Sequence, residues 1–152
     1  MPTEEDLGPE LSRRLGYLLK RARIRLEELH ESHMGPSGVS ARELGVLLLF
    51  ASSGPESQQE AARRLGVDRT TMVTLIDGLE SRGLVARTPD PDDRRRNLVG
   101  LTAEGRRALR RGKRASDQAE SELLAELDAA DAARLRELLG RIAADEPRRR
   151  PA

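Results

Sequence analysis

The run Asp92-Asp93-Arg94-Arg95-Arg96 is the most chemically pointed stretch of this 152-residue chain. Arginine is a permanent cation whose planar fork of donors suits phosphates and base edges. Three adjacent Arg on a tight hairpin project in different directions, and one of them can enter a narrow minor groove, where negative potential is enhanced. Asp93 can hold an Arg extended through a charge-assisted bond. A second set lies upstream at Arg69, Thr70, Thr71 and, one turn on, Thr74. Arg69 suits guanine or phosphate; the Thr hydroxyls suit phosphates and their methyls suit thymine. This is anion recognition, with no bond made or broken. Nothing resembles a catalytic set: there is no P-loop, no GxGxxG and no Ser-His-Asp ordering. Asp90, Asp92 and Asp93 lack the other ligands of a calcium loop. No enzyme activity, metal or cofactor is expected.

A helix and a hairpin must position these residues, and the stretch 66–105 reads as both. Ser57-Gln58-Gln59-Glu60 fits a capping box, with Ser57 as cap and Glu60 reaching back. The short helix behind it turns Ala61, Ala62 and Leu65 inward. Gly66 turns the chain. Asp68 then caps a second helix whose apolar positions are Met72, Val73, Leu75, Ile76 and Leu79, and Gly83 ends it. Helix, tight turn with Gly, helix is the helix-turn-helix pattern. The N-terminal residues of its second helix meet base edges, and the helix N-terminus favours phosphate oxygens. Residues 84–87 and 97–101 are strand-like, joined by the turn-rich Pro89-Asp90-Pro91-Asp92-Asp93. Taken singly, the helix also reads as an amphipathic surface helix and the hairpin tip as a solvated turn with weak ion pairs. Together they point to DNA.

Long helices flank this unit. From Pro9 to near His33, Leu11, Leu15, Leu18, Ala22, Leu26 and Leu29 recur every three or four residues. Gly35-Pro36-Ser37-Gly38 stops that helix. Ser40 caps the next, an apolar and therefore buried helix ended by Ser52-Ser53-Gly54-Pro55. Thr102 caps a long polar helix expected to run to Leu127, in which Gly105 and Gly112 weaken helical propensity. Asp128 caps a last helix with Ala132, Leu135, Leu138, Leu139 and Ile142 as its stripe. The first eight residues are acidic and expected to fray.

The net charge of +1 hides a strong segregation. Residues 82–114 hold eleven Arg or Lys against four acids, and residues 115–146 hold nine acids against three Arg. Such blocks set up local fields of opposite sign. With one Phe, one Tyr and no Trp, the core must come from Leu, Val, Ile and Ala. So sparse a core favours pooling apolar faces between two chains. With no Cys, disulfides, thiolate metal sites and cysteine redox sensing are excluded. No apolar run is long enough for a membrane span and the first residues lack a signal-peptide core, so a soluble, cytoplasmic chain is expected.

Residues 54–105 resemble the winged helix-turn-helix of the MarR family, regulators first associated with multiple antibiotic resistance. The resemblance is carried by SQQEAARRLGVDRTTMVTLIDGLESRGLV and DPDDRRRNLVGLTAEG, the latter close to the family's Asp-rich turn, Asp-x-Arg, strand and Leu-Thr-x-x-Gly. With the flanking helices it extends over roughly residues 9 to 143. It implies a mainly α fold with a small two-stranded antiparallel wing. The whole chain, 1–152, is then one domain: dimerisation helices at 9–33 and 102–143, a winged lobe at 40–101 and a basic tail at 144–152. It implies a homodimer with its outer helices intertwined, acting on double-stranded DNA at a pseudo-palindromic operator, most simply as a repressor. Asp93 and Arg95 match the family's Asp-x-Arg pair, with Arg95 in the minor groove. Residues 69, 70, 71 and 74 match its major-groove positions, although many relatives carry Arg where this chain has Thr74 and Gly78. The resemblance further implies a small aromatic or anionic effector between the dimer helices and the DNA-binding lobe. Tyr17, Arg21, Met34 and Phe50 are its candidate lining. The family's cysteine-based peroxide sensing is out.

His30 and His33 end the first helix about 300° apart around its axis. They read as solvated side chains near the helix C-terminus rather than as a zinc pair. Two rival readings of the chain remain open: a winged helix that holds a protein partner, and an architectural binder of any duplex.

Overall fold

The structure, a computed structural model, describes residues 8–144. The basic tail beyond residue 144 and the first seven residues lie outside the described part. In chain order the elements are α1 (Pro9–Ser12), α2 (Leu15–Met34), a 3-10 turn (Gly35–Ser37), α3 (Ala41–Ser53), β1 (Glu56–Ser57), α4 (Gln58–Leu65), α5 (Arg69–Ser81), β2 (Val85–Pro89), β3 (Asn97–Leu101), α6 (Ala103–Leu123) and α7 (Ala129–Ala143).

Local chemistry sets most of these boundaries. Asp68, Thr102 and Asp128 each accept the backbone N–H three residues on, at 2.8, 2.9 and 2.8 Å. Ser40 and Glu43 form a reciprocal capping box, whereas Ser57 only caps. Glu60 does not reach back as expected: its carboxylate turns to Arg63 instead, because Ser57 already belongs to a strand. Gly66 sits at φ 65°, the left-handed conformation that lets α4 end and the chain turn within two residues into α5.

Three expectations need correction. The first helix is not continuous: Arg14 is extended at ψ 130° and separates α1 from α2. The four-residue α1 buries nothing, so no packing offsets the cost of keeping residues 13 and 14 helical. The wing hairpin, β2 with β3, is the expected antiparallel pair, but its sheet has a third strand. β1 joins β3 antiparallel, with Glu56 opposite Val99 and Ser57 opposite Leu98, giving the order β1-β3-β2. Two residues are too few to show an alternating pattern, but Pro55 packs over Gly100 and brings them to the edge. The long polar helix α6 stops at Leu123, not Leu127.

The core is built from α3, α4, α5 and the sheet: Val46, Leu47, Met72, Ile76, Leu79, Val85 and Val99 are its largest fully buried side chains. Each such burial contributes about 1.5–3 kcal/mol. The long helix closes this lobe in a different way. All five buried residues of α6 are small: Gly105, Ala108, Gly112, Ala115 and Ala119. Spaced alternately three and four apart, they form one seam, against which α2 and α3 pack. A Cβ at Gly105 would lie 1.9 Å from the carbonyl oxygen of Leu84, and one at Gly112 would lie 3.3 Å from Leu44 Cδ1. These glycines are therefore close-approach positions, not merely weak points of the helix.

The outer helices are left uncovered on the isolated chain. Leu11, Leu15, Leu18 and Leu19 on α1 and α2 are exposed, as are Leu135, Leu138, Leu139 and Ile142 on α7. No residue of α7 is buried. Among the described residues, no helix is long and apolar enough to cross a membrane.

Gly105→Ala is expected to lower stability by about 2–3 kcal/mol through overpacking. Gly45→Ala, where nothing lies within 4 Å of the added carbon, should instead raise it by about 0.5–1 kcal/mol. Urea unfolding midpoints of the two variants will move in opposite directions if the α6 seam is as tight as described.

Candidate nucleic-acid interface

The hairpin tip is held by its own polar groups. The Asp90 N–H donates to Arg96 O and the Arg96 N–H to Asp93 O, both at 2.9 Å. The Asp92 N–H donates to Asp90 Oδ1 at 2.9 Å. Asp93 Oδ1 accepts the Arg95 N–H at 3.1 Å and faces Arg95 Nε at 3.4 Å. The backbone bond is within the normal range and the guanidinium contact is long. Asp93 thus shapes the turn first and steers the Arg95 side chain second. That side chain is 92% exposed. Arg94 and Arg96 have no side-chain partner among the described residues, leaving three cations at one tip.

The start of α5 is less open than its composition suggests. The Thr71 hydroxyl donates to Asp68 Oδ2 at 2.6 Å, and the Thr71 N–H donates to Asp68 Oδ1. Those bonds, the hydroxyl's first, hold the Asp68 carboxyl below its ordinary range. The helix N-terminus is therefore already capped by a carboxylate, and the Thr71 amide is not free for a phosphate. The Thr74 hydroxyl donates back to Thr70 O at 3.1 Å. Of the four residues expected on this helix to read DNA, Arg69 and Thr70 keep uncommitted polar side-chain groups among the described residues, while the hydroxyls of Thr71 and Thr74 are engaged locally.

Arg69 and Arg96 face a shared groove of about 410 Å³ between the helix-turn-helix and the sheet. Gln58, Gln59 and Asn97 also line it. So the tip and the helix are brought together by the base of the wing. The sequence reading missed these three amides. Their only local signal was polar character at the start of α4 and of β3.

It also missed Arg87 on β2. Its guanidinium donates to Glu80 Oε1 and Asp77 Oδ1, each at 2.6 Å, and to Gln58 Oε1 at 3.1 Å. Its backbone N–H donates to Glu80 Oε2 at 3.2 Å. Burial works against the Arg87 charge, but the bonds to Asp77 and Glu80 outweigh it and raise its pKa. One side chain thereby ties β2 to α5 and to α4.

A model of the MarR family matches residues 37–96. A putative transcriptional regulatory protein for the hcr operon of Thauera aromatica is 30% identical over 146 residues, covering 93% of this chain and 88% of that one. The chain belongs to the MarR family. It is a winged-helix transcriptional regulator. Among solved structures, the repressor CouR bound to a 23-mer DNA duplex matches with a TM-score of 0.83 and 36% identity, over 90% of this chain and 96% of that one. CouR from Rhodococcus jostii RHA1 bound to p-coumaroyl-CoA matches with a TM-score of 0.78 and 32% identity, over 91% of this chain and 98% of that one.

This MarR-family chain has a second cleft, of about 780 Å³, where the end of α2 meets the start of α3. Arg23, His30, Met34, Val39 and Arg42 are among its walls. Of the expected effector-lining residues, Met34 lines it. Phe50 lies in the core instead, Tyr17 is half-buried on α2, and Arg21 is exposed there. The histidines do not simply face water. His33 Nε2 lies 2.7 Å from Glu122 Oε2, and His30 Nε2 lies 3.4 Å from Ser116 Oγ. Both bind α2 to α6, whose polar residues are too distant in sequence to have been paired with them.

The cleft's far edge is fixed by Arg82, which donates to Gly38 O at 2.7 Å and to Glu43 Oε1 at 2.5 Å. Burial pushes the Glu43 carboxyl up, and the bonds from Arg82 and the Ser40 N–H outweigh it, so its pKa falls below the ordinary 4.5. A carboxyl lowered on folding adds stability above its unfolded value and loses it as pH falls through the folded value. Glu43→Gln should therefore unfold at lower urea than wild type at pH 7. The gap should narrow as pH falls below the ordinary 4.5 and close once it has passed the lower folded value. An equal gap at pH 7 and below that folded value would show that this charge is not what stabilises the corner.

Proposed function

We propose that the chain acts in the cytoplasm as a homodimeric repressor that covers a pseudo-palindromic operator. Each α5 enters a major groove, and each wing tip reaches the flanking minor groove. The observation that carries this reading is the tip itself. Arg94, Arg95 and Arg96 stand in solvent on a turn fixed by Asp93, beside a groove that also holds Arg69. Arg95 is the minor-groove residue; Arg69 and Thr70 lead in the major groove, with exposed Thr74 one turn on and half-buried Thr71 behind them. No catalytic role is assigned to any of them.

The exposed apolar faces of α1, α2 and α7 support the dimer. Pairing them between copies would bury the leucines that a single chain leaves in water. Half-sites then fall about one helical turn, roughly 34 Å, apart. A small aromatic anion is the proposed releasing effector. The cleft at the α2–α3 junction offers Arg42 and His30 to its charge and Met34 and Val39 to its ring. CouR, bound in one structure to DNA and in another to p-coumaroyl-CoA, supports assigning both partners to this chain.

Light scattering should give a dimer, and footprinting upstream of the chain's own gene should show a protected pseudo-palindrome. Its affinity should exceed that for unrelated duplex by about a thousand-fold. Equal protection of any duplex would favour the architectural reading. Arg95→Ala should weaken operator binding at least tenfold without altering the dimer. It should also lower the slope of log K against log salt by about one. Unchanged affinity in that variant would remove the wing from the interface.

A further inference from the structure

Asp77 is a problem for any surface that meets DNA. It follows Thr70 and Thr74 at the four- and three-residue spacing that keeps residues on one helical face, so it extends the reading stripe of α5 by one turn. Its side chain is 59% exposed. A free carboxylate there would face phosphates of the same sign. Glu80 lies one turn further along the same helix, 40% exposed.

Arg87 reaches both. It comes from β2, is only 24% exposed, and spreads its fork over Asp77, Glu80 and Gln58. Pairs this open to water contribute little to stability. Their effect on the local field is larger, because one guanidinium halves the negative charge that the acid pair would present to a polyanion. The fork also fixes α5 against the wing root, so the reading stripe and the tip keep one relative orientation. A lysine ammonium carries three donors, but all on one nitrogen, whereas the guanidinium reaches these acceptors from two separated nitrogens.

We propose that Arg87 is a positioning residue for DNA binding that touches no DNA: it masks Asp77 and Glu80 on the reading helix and locks that helix to the wing. This role rests on the DNA-binding reading above. It separates Arg87 from Arg69, Arg94, Arg95 and Arg96, which are free to meet phosphates directly.

The test uses the full-length dimer and a duplex carrying its footprinted site, at one fixed salt concentration. Arg87→Gln should weaken binding at least tenfold, with helical content and dimer mass unchanged. Adding Asp77→Asn to that variant should recover part of the loss, because the more exposed of the two unmasked carboxylates is then gone while that of Glu80 remains. Arg87→Lys should fall between wild type and Arg87→Gln. Asp77→Asn alone should bind as well as wild type or better. No recovery in the double variant would make Arg87 a direct contact and overturn the proposal. Weaker binding by Asp77→Asn alone would do the same, by making Asp77 itself a reader of the DNA. The single Asp77→Asn variant keeps the question decidable if Arg87→Gln does not fold. A wild-type chain that binds no duplex would overturn the DNA-binding reading, and this role with it. Wild-type binding without rescue would overturn only the role of Arg87.

Discussion

The close approach of α6 to the rest of the lobe is the constraint on which this architecture depends. Its buried seam contains only Gly and Ala, so the separation of α2, α3 and the wing root from α6 is set by backbone rather than by long side chains. At one end the Leu84 carbonyl sits where a Cβ of Gly105 would be, and the Thr102 N–H donates to that same oxygen at 3.1 Å. The Thr102 hydroxyl donates to Gly83 O at 2.6 Å while also capping α6. Midway, Gly112 receives Val39 and Leu44 at the start of α3. One helix thus holds both the start of the buried helix and the root of the wing.

From that root the contacts continue in series. Leu84 leads directly into β2, β2 carries Arg87, and Arg87 holds Asp77 and Glu80 on α5. The polar groups at the start of α5 are largely consumed in holding its own shape, with Asp68 on Thr71 and Thr74 on Thr70. This leaves a division of labour. The helix contributes shape, short threonine side chains and Arg69, while Arg94 and Arg96 stand without a side-chain partner on the wing tip. A helix poor in long cations can still serve a DNA-binding protein when its acids are partly offset from behind and its neighbour supplies the phosphate contacts.

What was legible in the sequence was what is local. Ser40, Asp68, Thr102 and Asp128 could be assigned as caps because a cap and its amide are three residues apart. The wing turn was legible because Asp90 and Asp93 bond within the same tip. The site's supports were not, because their partners are remote. Arg87 meets Gln58 across 29 positions, and His33 meets Glu122 across 89. β1 escaped because two residues carry no period, and the break at Arg14 because neither Arg13 nor Arg14 is a breaker. Gly105 and Gly112 were visible but misleading when read through helical propensity alone. Together with Ala108, Ala115 and Ala119 they have the periodicity of a packing face, and that pattern was available in the sequence.

The seam also bears on how the proposed effector could act. The cleft at the α2–α3 junction includes Met34 and Val39, and Val39 is one of the residues lodged against Gly112. A molecule wedged there presses on α2 and α3 where both rest on α6. Close-packed contacts of this kind do not deform gradually. Displacing Val39 would require α6 to shift as a body or α3 to tilt about it. A shift of α6 would be passed through Leu84 to the wing, since Gly105 leaves no slack at that end. Binding favours the displaced arrangement only to the extent that the ligand holds it more tightly than the DNA-competent one. The small residues of α6 therefore do more than permit close packing. In the proposed dimer they would couple the spacing of the two wings to what occupies the cleft at the α2–α3 junction.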